Sequence, residues 1–401
     1  MVYWGGGRRH RPDTRFWVKC ALDRASFRVH TPTGKSMKFQ IEKDVFQEAL
    51  NQVQHVVSTR TTLPILSNVL IKADELGLQL STTDLDVTIT KRISANVSET
   101  GTTTMPARRL ASIVRELPVS EIDFEVNADN AASVKAGPSF FKILGLPGSE
   151  FPTIGEFGEA KEFTIDQKLL KEALRKTSYA ISTDETRYVL NGVNCLIGEG
   201  LLTLVATDGR RLAMVEQDLE FPAGNETAAI IPTKAVNELQ RLLEDEGEMK
   251  VSLTDSQASF ELNDSHLITK LIEGNYPNFR QVIPGAANHR VTVERELFHN
   301  AVKRVSLLAN EKTNSIKFAF EDNTLKISAN SPEVGEAEEV IDVRYDGPKI
   351  VVAFNPEFVM APLRNLDQDE VFVDLIDESS PGVIKIDEPF LYVIMPMRVA
   401  G

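Results

Sequence analysis

Thr83-Asp84-Leu85-Asp86 closes one run of alternating apolar residues, and Thr207-Asp208-Gly209-Arg210 closes another 124 residues further on. A fainter copy, Asn330-Ser331-Pro332-Glu333, follows after nearly the same interval. A second marker keeps the period. Met105-Pro106-Ala107-Arg108, Ile231-Pro232-Thr233-Lys234 and Phe354-Asn355-Pro356-Glu357 each open a helical stretch, with prolines 126 and 124 residues apart. A third marker lies at 37–41, 161–165 and 289–293, where a short strand leads into an amphipathic helix. Three markers on one period of about 125 residues imply three copies of one domain, much longer than the 20 to 50 residues of solenoid repeats.

Within a unit the hydrophobic period changes several times. From Asp44, the residues Val45, Leu50, Val53, Val56 and Val57 are spaced for one helical face, and Leu63-Pro64 breaks it. Strands follow at 69–71, 78–81 and 87–90, around the turn Asp74-Glu75-Leu76-Gly77. A second helix starts at Pro106, with Leu110, Ile113, Val114 and Leu117 inward and proline at its first position. Strands at 122–126, 132–135 and 140–143 complete the unit. Each unit is therefore strand-helix-three strands taken twice, an α+β domain with antiparallel sheet. The expected boundaries are 37–158, 159–287 and 288–401, with proline-bearing connectors at Phe151-Pro152 and from Tyr276-Pro277 to Ile283-Pro284. Residues 1–36, with Gly5-Gly6-Gly7-Arg8-Arg9-His10-Arg11, lack any such pattern and are expected to be a disordered extension, since Met37 stands where the first repeat begins.

At 401 residues, three cores of about 120 residues are each large enough to be stable. Two cysteines, Cys20 and Cys195, have no metal-like spacing, and six histidines are scattered singly. A reduced, cytoplasmic setting without metal or cofactor is expected, and no apolar run is long enough to span a membrane. A formal charge of −14 ordinarily counts against nucleic-acid binding. The distribution of charge points the other way. The expected helices carry Arg108, Arg109, Arg115, Lys168, Lys171, Arg175, Lys176, Lys234, Arg241, Lys303 and Arg304, while acid gathers in strands and loops such as Glu244-Asp245-Glu246. One basic face in an acidic body can neutralise phosphates without reading bases; the bland alternative is a solvated helix surface. An enzyme reading rests on the carboxylates of Asp84 and Asp86. Neither has a histidine, a metal-ligand partner or a Gly-rich loop beside it, and Thr-Asp at a strand end is as readily a turn capping its own backbone. A structural array of tandem domains that does not encircle DNA is the remaining alternative.

Four motifs, Arg60-Thr61-Thr62-Leu63-Pro64-Ile65-Leu66-Ser67-Asn68, Arg187-Tyr188-Val189-Leu190-Asn191-Gly192, Ala206-Thr207-Asp208-Gly209-Arg210-Arg211-Leu212-Ala213 and Met395-Pro396-Met397-Arg398, resemble the bacterial β sliding clamps of DNA polymerase III. The resemblance runs from Met37 to Arg398. It implies three clamp domains per chain and a head-to-tail homodimer closing a ring around double-stranded DNA, without sequence preference and without catalysis. Phe141 and Ile143 would meet Leu307 and Leu308 of the other copy, the leucines lying on a helix over 301–309. DNA would be touched by Arg60, Arg187 and Tyr188, with Arg92, Arg109, Lys234 and Arg241 on the inner face that the resemblance implies. Asp184 falls where some relatives carry a DNA-contacting glutamine. A groove of Leu190, Thr207, Gly209, Arg211, Leu212, Pro277, Val282, Val393, Met395, Pro396, Met397 and Arg398 would take short linear motifs. Its expected partners are the polymerase III alpha subunit, the clamp-loader complex, other polymerases and mismatch-repair proteins. Methionine and proline suit a surface that accepts several peptides.

Overall fold

The computed structural model describes residues 36–57, 62–118, 120–153, 157, 160–219, 226–310 and 313–398. The amino-terminal extension and Arg60 lie outside the described residues.

The first unit opens with β1 (Met37–Glu42) and α1 (Lys43–Val53), followed by β2 (Asn68–Asp74), β3 (Gly77–Thr83), β4 (Val87–Ile93) and the short β5 (Asn96–Glu99). Its second half is β6 (Gly101–Pro106), α2 (Ala107–Glu116), β7 (Glu121–Val126), β8 (Ala131–Ala136) and β9 (Ser139–Leu144), with a two-residue β10 (Leu146–Pro147) behind it. The second unit repeats the order: β11 (Lys161–Asp166), α3 (Gln167–Thr177), β12 (Gly192–Gly198), β13 (Leu201–Thr207), β14 (Arg211–Asp218), β15 (Thr227–Pro232), α4 (Thr233–Leu242), β16 (Glu248–Leu253), β17 (Gln257–Leu262) and β18 (Ser265–Lys270). The third has β19 (His289–Glu294), α5 (Arg295–Ser306), β20 (Ile316–Glu321), β21 (Thr324–Ser331) and β22 (Gly335–Asp342). It ends with β23 (Ile350–Phe354), α6 (Pro356–Asn365), β24 (Glu370–Leu375), β25 (Gly382–Lys385) and β26 (Phe390–Ile394).

The chain is thus the expected α+β motif three times over, and among the described residues all strand pairs are antiparallel. Alternation decides which face each strand buries: in β1, Met37, Phe39 and Ile41 are inside and Lys38, Gln40 and Glu42 outside. The two helices of each unit lie side by side against the buried sheet faces. In the first unit Phe39 stacks on Phe124 at 4.8 Å, and Phe46 of α1 meets both rings edge-on.

Two expectations of local structure need correction. The helix from Lys43 ends at Val53, so Val56 and Val57 are buried from the turn after it. Pro106 and Pro232 are the last residues of β6 and β15, standing just before their helices; only Pro356 occupies a first helical position, with Asn355 capping the Glu357 amide. The proline ring's fixed φ suits the strand-to-helix corner in either place.

The sheets run across the unit boundaries. β4 pairs with β18 in a nine-stranded sheet, and β14 pairs with β26 in an eight-stranded one. In both joints the third strand after one unit's first helix meets the final strand of the next unit. The two outer half-sheets, ordered β5-β1-β7-β8-β9 and β22-β21-β20-β23, stop at β9 and β22. Those strands are the remaining members of the same two classes.

Candidate functional site

Both Thr-Asp sequences are self-capping turns. Asp84 Oδ1 accepts the amides of Asp86 and Val87 at 3.0 and 2.8 Å, and Asp208 Oδ1 accepts those of Arg210 and Arg211 at 2.9 and 3.1 Å. The residue after each aspartate is left-handed, Leu85 at φ 80° and Gly209 at φ 83°. Glycine takes that conformation freely, and any Cβ at Gly209 would stand 2.8 Å from the Arg187 guanidinium. The acid pair of the enzyme reading is absorbed by backbone capping and by ion pairs, Asp84 to Lys234 and Asp86 to Lys270 at 3.0 Å. Among the described residues no group of histidine, cysteine, aspartate and glutamate could hold a metal ion.

At the joint of the second and third units β14 and β26 set Leu212 opposite Val393. With Val205, Met214 and Phe279 these form a small apolar cluster apart from the main core, edged by Tyr276, Ile283, Leu196 and Leu391. Around it, Val282 and Met395 are about half exposed at 52% and 45%, Pro277 and Arg398 are exposed, and Pro396 and Met397 are partly covered. The Met395 amide donates to Arg210 O at 3.0 Å, and that of Met397 to Ala353 O at 2.8 Å, so the carboxyl-terminal segment is pinned to both units. Thr207 closes the turn by donating to Arg211 O at 2.6 Å. Leu190 is buried at the end of a 3-10 segment, Glu185–Leu190.

Arg211, which the resemblance puts in the groove, is held largely away from its surface. Its guanidinium bonds Asp208 at 3.0 Å, lies 4.5 Å over the Phe358 ring and is largely covered, so it braces the joint. Phe279, Val205 and Met214 escaped the sequence reading, although Phe279 was visible as the one large aromatic in the connector after Pro277. Beneath the cluster Tyr392 is wholly buried, donates its hydroxyl to Phe358 O at 2.8 Å, and has its ionisation pushed up by that burial.

The helix cations divide into two groups. Arg175 makes a bidentate pair with Asp367, the buried Lys176 pairs with Glu388, and Lys234 reaches Asp84 and the Val56 carbonyl. These three brace joints between units, so Lys234, which the resemblance puts among the DNA contacts, is engaged with the first unit. Lys171 pairs with Asp245 at 2.8 Å and Arg304 with Glu339. Arg109, Lys168 and Lys303 are exposed. Arg241, half exposed, bonds Glu238 at 2.6 Å. Arg92 is a correction: it sits on β4, whose buried face carries Val87, Ile89 and Ile93 toward α1, so it points to the opposite sheet face, where it bonds Asp74 and Gln79. A strand residue of even parity there cannot line a helical surface.

Arg187 and Tyr188 are both exposed on the 3-10 segment. Asp184 caps the Thr186 amide and hydroxyl, which holds its carboxyl below the usual range, and stands 3.7 Å from the Arg187 guanidinium. Its charge offsets that of the arginine, whose Nη1 donates to Asp208 O at 3.3 Å.

At the outer edges, Phe140, Phe141 and Leu144 of β9 are exposed at 60%, 38% and 72%, whereas Ile143 is buried within its own unit. Leu307 is 78% exposed and Leu308 partly covered, both in the turn that follows α5 and not on the helix itself. Ile143 therefore belongs to the core behind the edge, and Phe140 and Leu144 join Phe141 on the surface.

Comparison with known proteins accounts for this arrangement. Family profiles for the DNA polymerase III beta subunit match in tandem: the N-terminal domain at 37–155, the central domain at 164–278 and the C-terminal domain at 280–398. The chain is 34% identical over 363 residues to the beta sliding clamp of Chlamydia muridarum, covering 90% of this chain and 99% of that one. It is 35% identical over 369 residues to that of Proteus mirabilis, covering 90% and 100%. Among solved structures it resembles the DnaN sliding clamp of Bartonella birtlesii bound to griselimycin, with TM-score 0.87, 35% identity and coverage of 91% and 100%. The clamp of Bacillus subtilis matches at TM-score 0.87, 30% identity and the same coverage. The chain belongs to the DNA polymerase III beta subunit family and is a DNA sliding clamp, a processivity factor without catalysis of its own.

Proposed function

We propose that two copies of this chain close head to tail into a ring around duplex DNA, and that the cluster around Leu212 and Val393 takes short peptide motifs of replication and repair proteins. One observation carries the ring. The same strand classes join at β4 with β18 and at β14 with β26, and the chain ends with one unused member of each class, β22 and β9. A heterologous contact between them must either close or polymerise, and closure covers both edges. Charge supports the match: β22 carries the exposed Glu336, and β9 carries the exposed Lys142. The apolar Phe140, Phe141, Leu144 and Leu307 supply contact area.

Within such a ring the helices face inward, and Arg109, Lys168, Lys303, Arg187 and Tyr188 offer contacts to phosphate that are equivalent at every base pair. Arg60 completes this set from the family resemblance. Sedimentation tests closure, with a dimer expected at micromolar concentration, and retention on closed circular but not linear DNA tests encirclement. A persistent monomer, or equal retention on both forms, would refute the ring. Arg60→Ala with Arg187→Ala should weaken duplex binding at low salt and leave the dimer mass unchanged. The groove reading extends to motifs of the polymerase III alpha subunit, the clamp loader, other polymerases and mismatch-repair proteins, and it is supported by the half-exposed Met395 and Val282 beside a buried apolar floor.

A further inference from the structure

α5 and α6 pack side by side with their seam turned away from the sheet, and across it Arg364 Nε donates to His299 Nε2 at 3.3 Å. An imidazole nitrogen accepts such a bond only when it carries no proton, and Nδ1, 3.4 Å from Asn300 Oδ1, is then the protonated nitrogen. The neutral ring is thus part of the geometry. Lys303 and Arg295 flank His299 one helical turn away on either side. Arg295 is committed to the carbonyls of Gln368 and Leu363 at 2.8 and 3.1 Å and leans toward Glu296, while Arg364 leans toward Glu357 at 3.4 Å and touches Met360. On the strands packed beneath, Glu339 of β22 is taken by Arg304. Three cations therefore crowd the imidazole, and the nearby carboxylates are spent on the arginines. Burial is the largest cause that holds the imidazolium below its ordinary pKa; the bond to Asn300 opposes it, and Arg364, Lys303 and Arg295 add to the lowering.

We propose that His299, Arg364 and Lys303 form a proton-linked seat for a backbone phosphate of duplex DNA on the helix pair of the third unit. While His299 is neutral it holds Arg364 across the seam. A phosphate diester brought to the seam supplies the negative charge the cluster lacks, His299 takes up a proton at Nε2, and Arg364, no longer accepted by the ring, turns its guanidinium to the phosphate. Proton uptake on binding requires affinity to rise as pH falls, from the raised pKa of the bound state down to the depressed pKa of the free protein. The seat rests on the ring reading, which points these helices at DNA.

The test uses the full-length dimer and a fluorescent duplex oligonucleotide at low salt, comparing wild type with His299→Gln and Arg364→Gln from about pH 7.5 to about pH 5.5. Glutamine can still accept from Arg364, so the seam keeps its packing while losing the proton. Wild-type affinity should gain about threefold to tenfold more than that of His299→Gln over this range, and Arg364→Gln should lower the salt dependence by about one phosphate contact. The His299 ring signals in a proton NMR titration should shift to higher pKa when duplex is added. Superimposable pH dependences for wild type and His299→Gln, or an imidazole whose titration ignores the duplex, would overturn the proposal. Failure of the ring reading is seen separately, as a monomer in sedimentation or as loss of retention on circular DNA at every pH.

Discussion

Lys234 on α4 of the second unit bonds Asp84 in the first unit's turn, and at the next joint their counterparts are Phe358 and Asp208, with Arg211 lying between them over the ring. One joint is an ion pair and the other a cation over an aromatic face. The same corner is therefore held by different chemistry at equivalent places. Asp84 also caps two amides of its own turn, whereas Lys234→Ala removes the ion pair and a single bond to the Val56 carbonyl. Asp84→Ala should then cost more than Lys234→Ala, about 1–3 kcal/mol against about 1 kcal/mol or less, because Lys234 is partly exposed. Urea unfolding of the two variants and the double variant measures the order, and equal costs would mean that the capping bonds contribute nothing.

The proposed dimer edge separates two residues that family resemblance groups together. Leu307 is exposed and Ile143 is buried, so their substitutions should fail in different ways. Leu307→Lys should shift the dimer toward monomer with little change in unfolding of the isolated chain, since a lysine there meets water until the second copy arrives. Ile143→Ala should lower stability by about 2–4 kcal/mol through a cavity and affect dimerisation only secondarily. Sedimentation and thermal unfolding on the same samples distinguish them. A stable, fully dimeric Leu307→Lys variant would remove this turn from the interface.

Most of the fold was legible because its signals are local and repeated. Alternation marked β2, β3 and β4, and the proline corners marked the helices. What stayed hidden depends on partners far along the chain. The pairing of Arg175 with Asp367 spans 192 positions and leaves no periodic trace, so a helix cation that braces a joint looked the same as one turned to DNA. Arg92 was misplaced for a similar reason, since charge alone does not tell a helix face from an outer sheet face. The proposed groove was half legible: Leu212, Val393 and Met395 came from family resemblance, whereas Val205 and Met214 read only as alternating strand residues and joined the apolar cluster once β26 crossed from the third unit to β14.

Asp374 gives the third unit a defined acid sensitivity. Burial pushes its carboxyl up, but bonds from Arg290 at 2.7 and 2.9 Å and from Lys385 at 3.1 Å override that and hold it below the ordinary aspartate value. A depressed folded-state pKa means the stabilisation is complete above the unfolded value of about 3.9 and is lost as pH falls through the lower folded value. Asp374→Asn should therefore be less stable by about 2–4 kcal/mol at neutral pH, with the gap closing in acid. Urea midpoints measured from neutral pH down to about pH 3 check this. A gap that stays constant would assign the loss to packing and not to charge.

Removal of Met395 to Gly401 separates the groove from the rest of the molecule. β26 ends at Ile394, so the deletion spares its pairing with β14 and β25 and the buried Tyr392 beneath. It removes the amide bonds from Met395 to Arg210 and from Met397 to Ala353, together with the half-exposed methionine that walls the apolar cluster. Two peripheral backbone bonds at about 1 kcal/mol each are a small loss for a chain of this size. A motif peptide of glutamine, a spacer, leucine and phenylalanine would meanwhile lose the wall against which its apolar side chains pack. The truncated protein should remain a dimer and be retained on circular DNA, while peptide affinity, followed by anisotropy, falls at least tenfold. Unchanged affinity in an intact dimer would place the partner site elsewhere, and a collapse of the dimer would show that the terminal segment holds the third unit together.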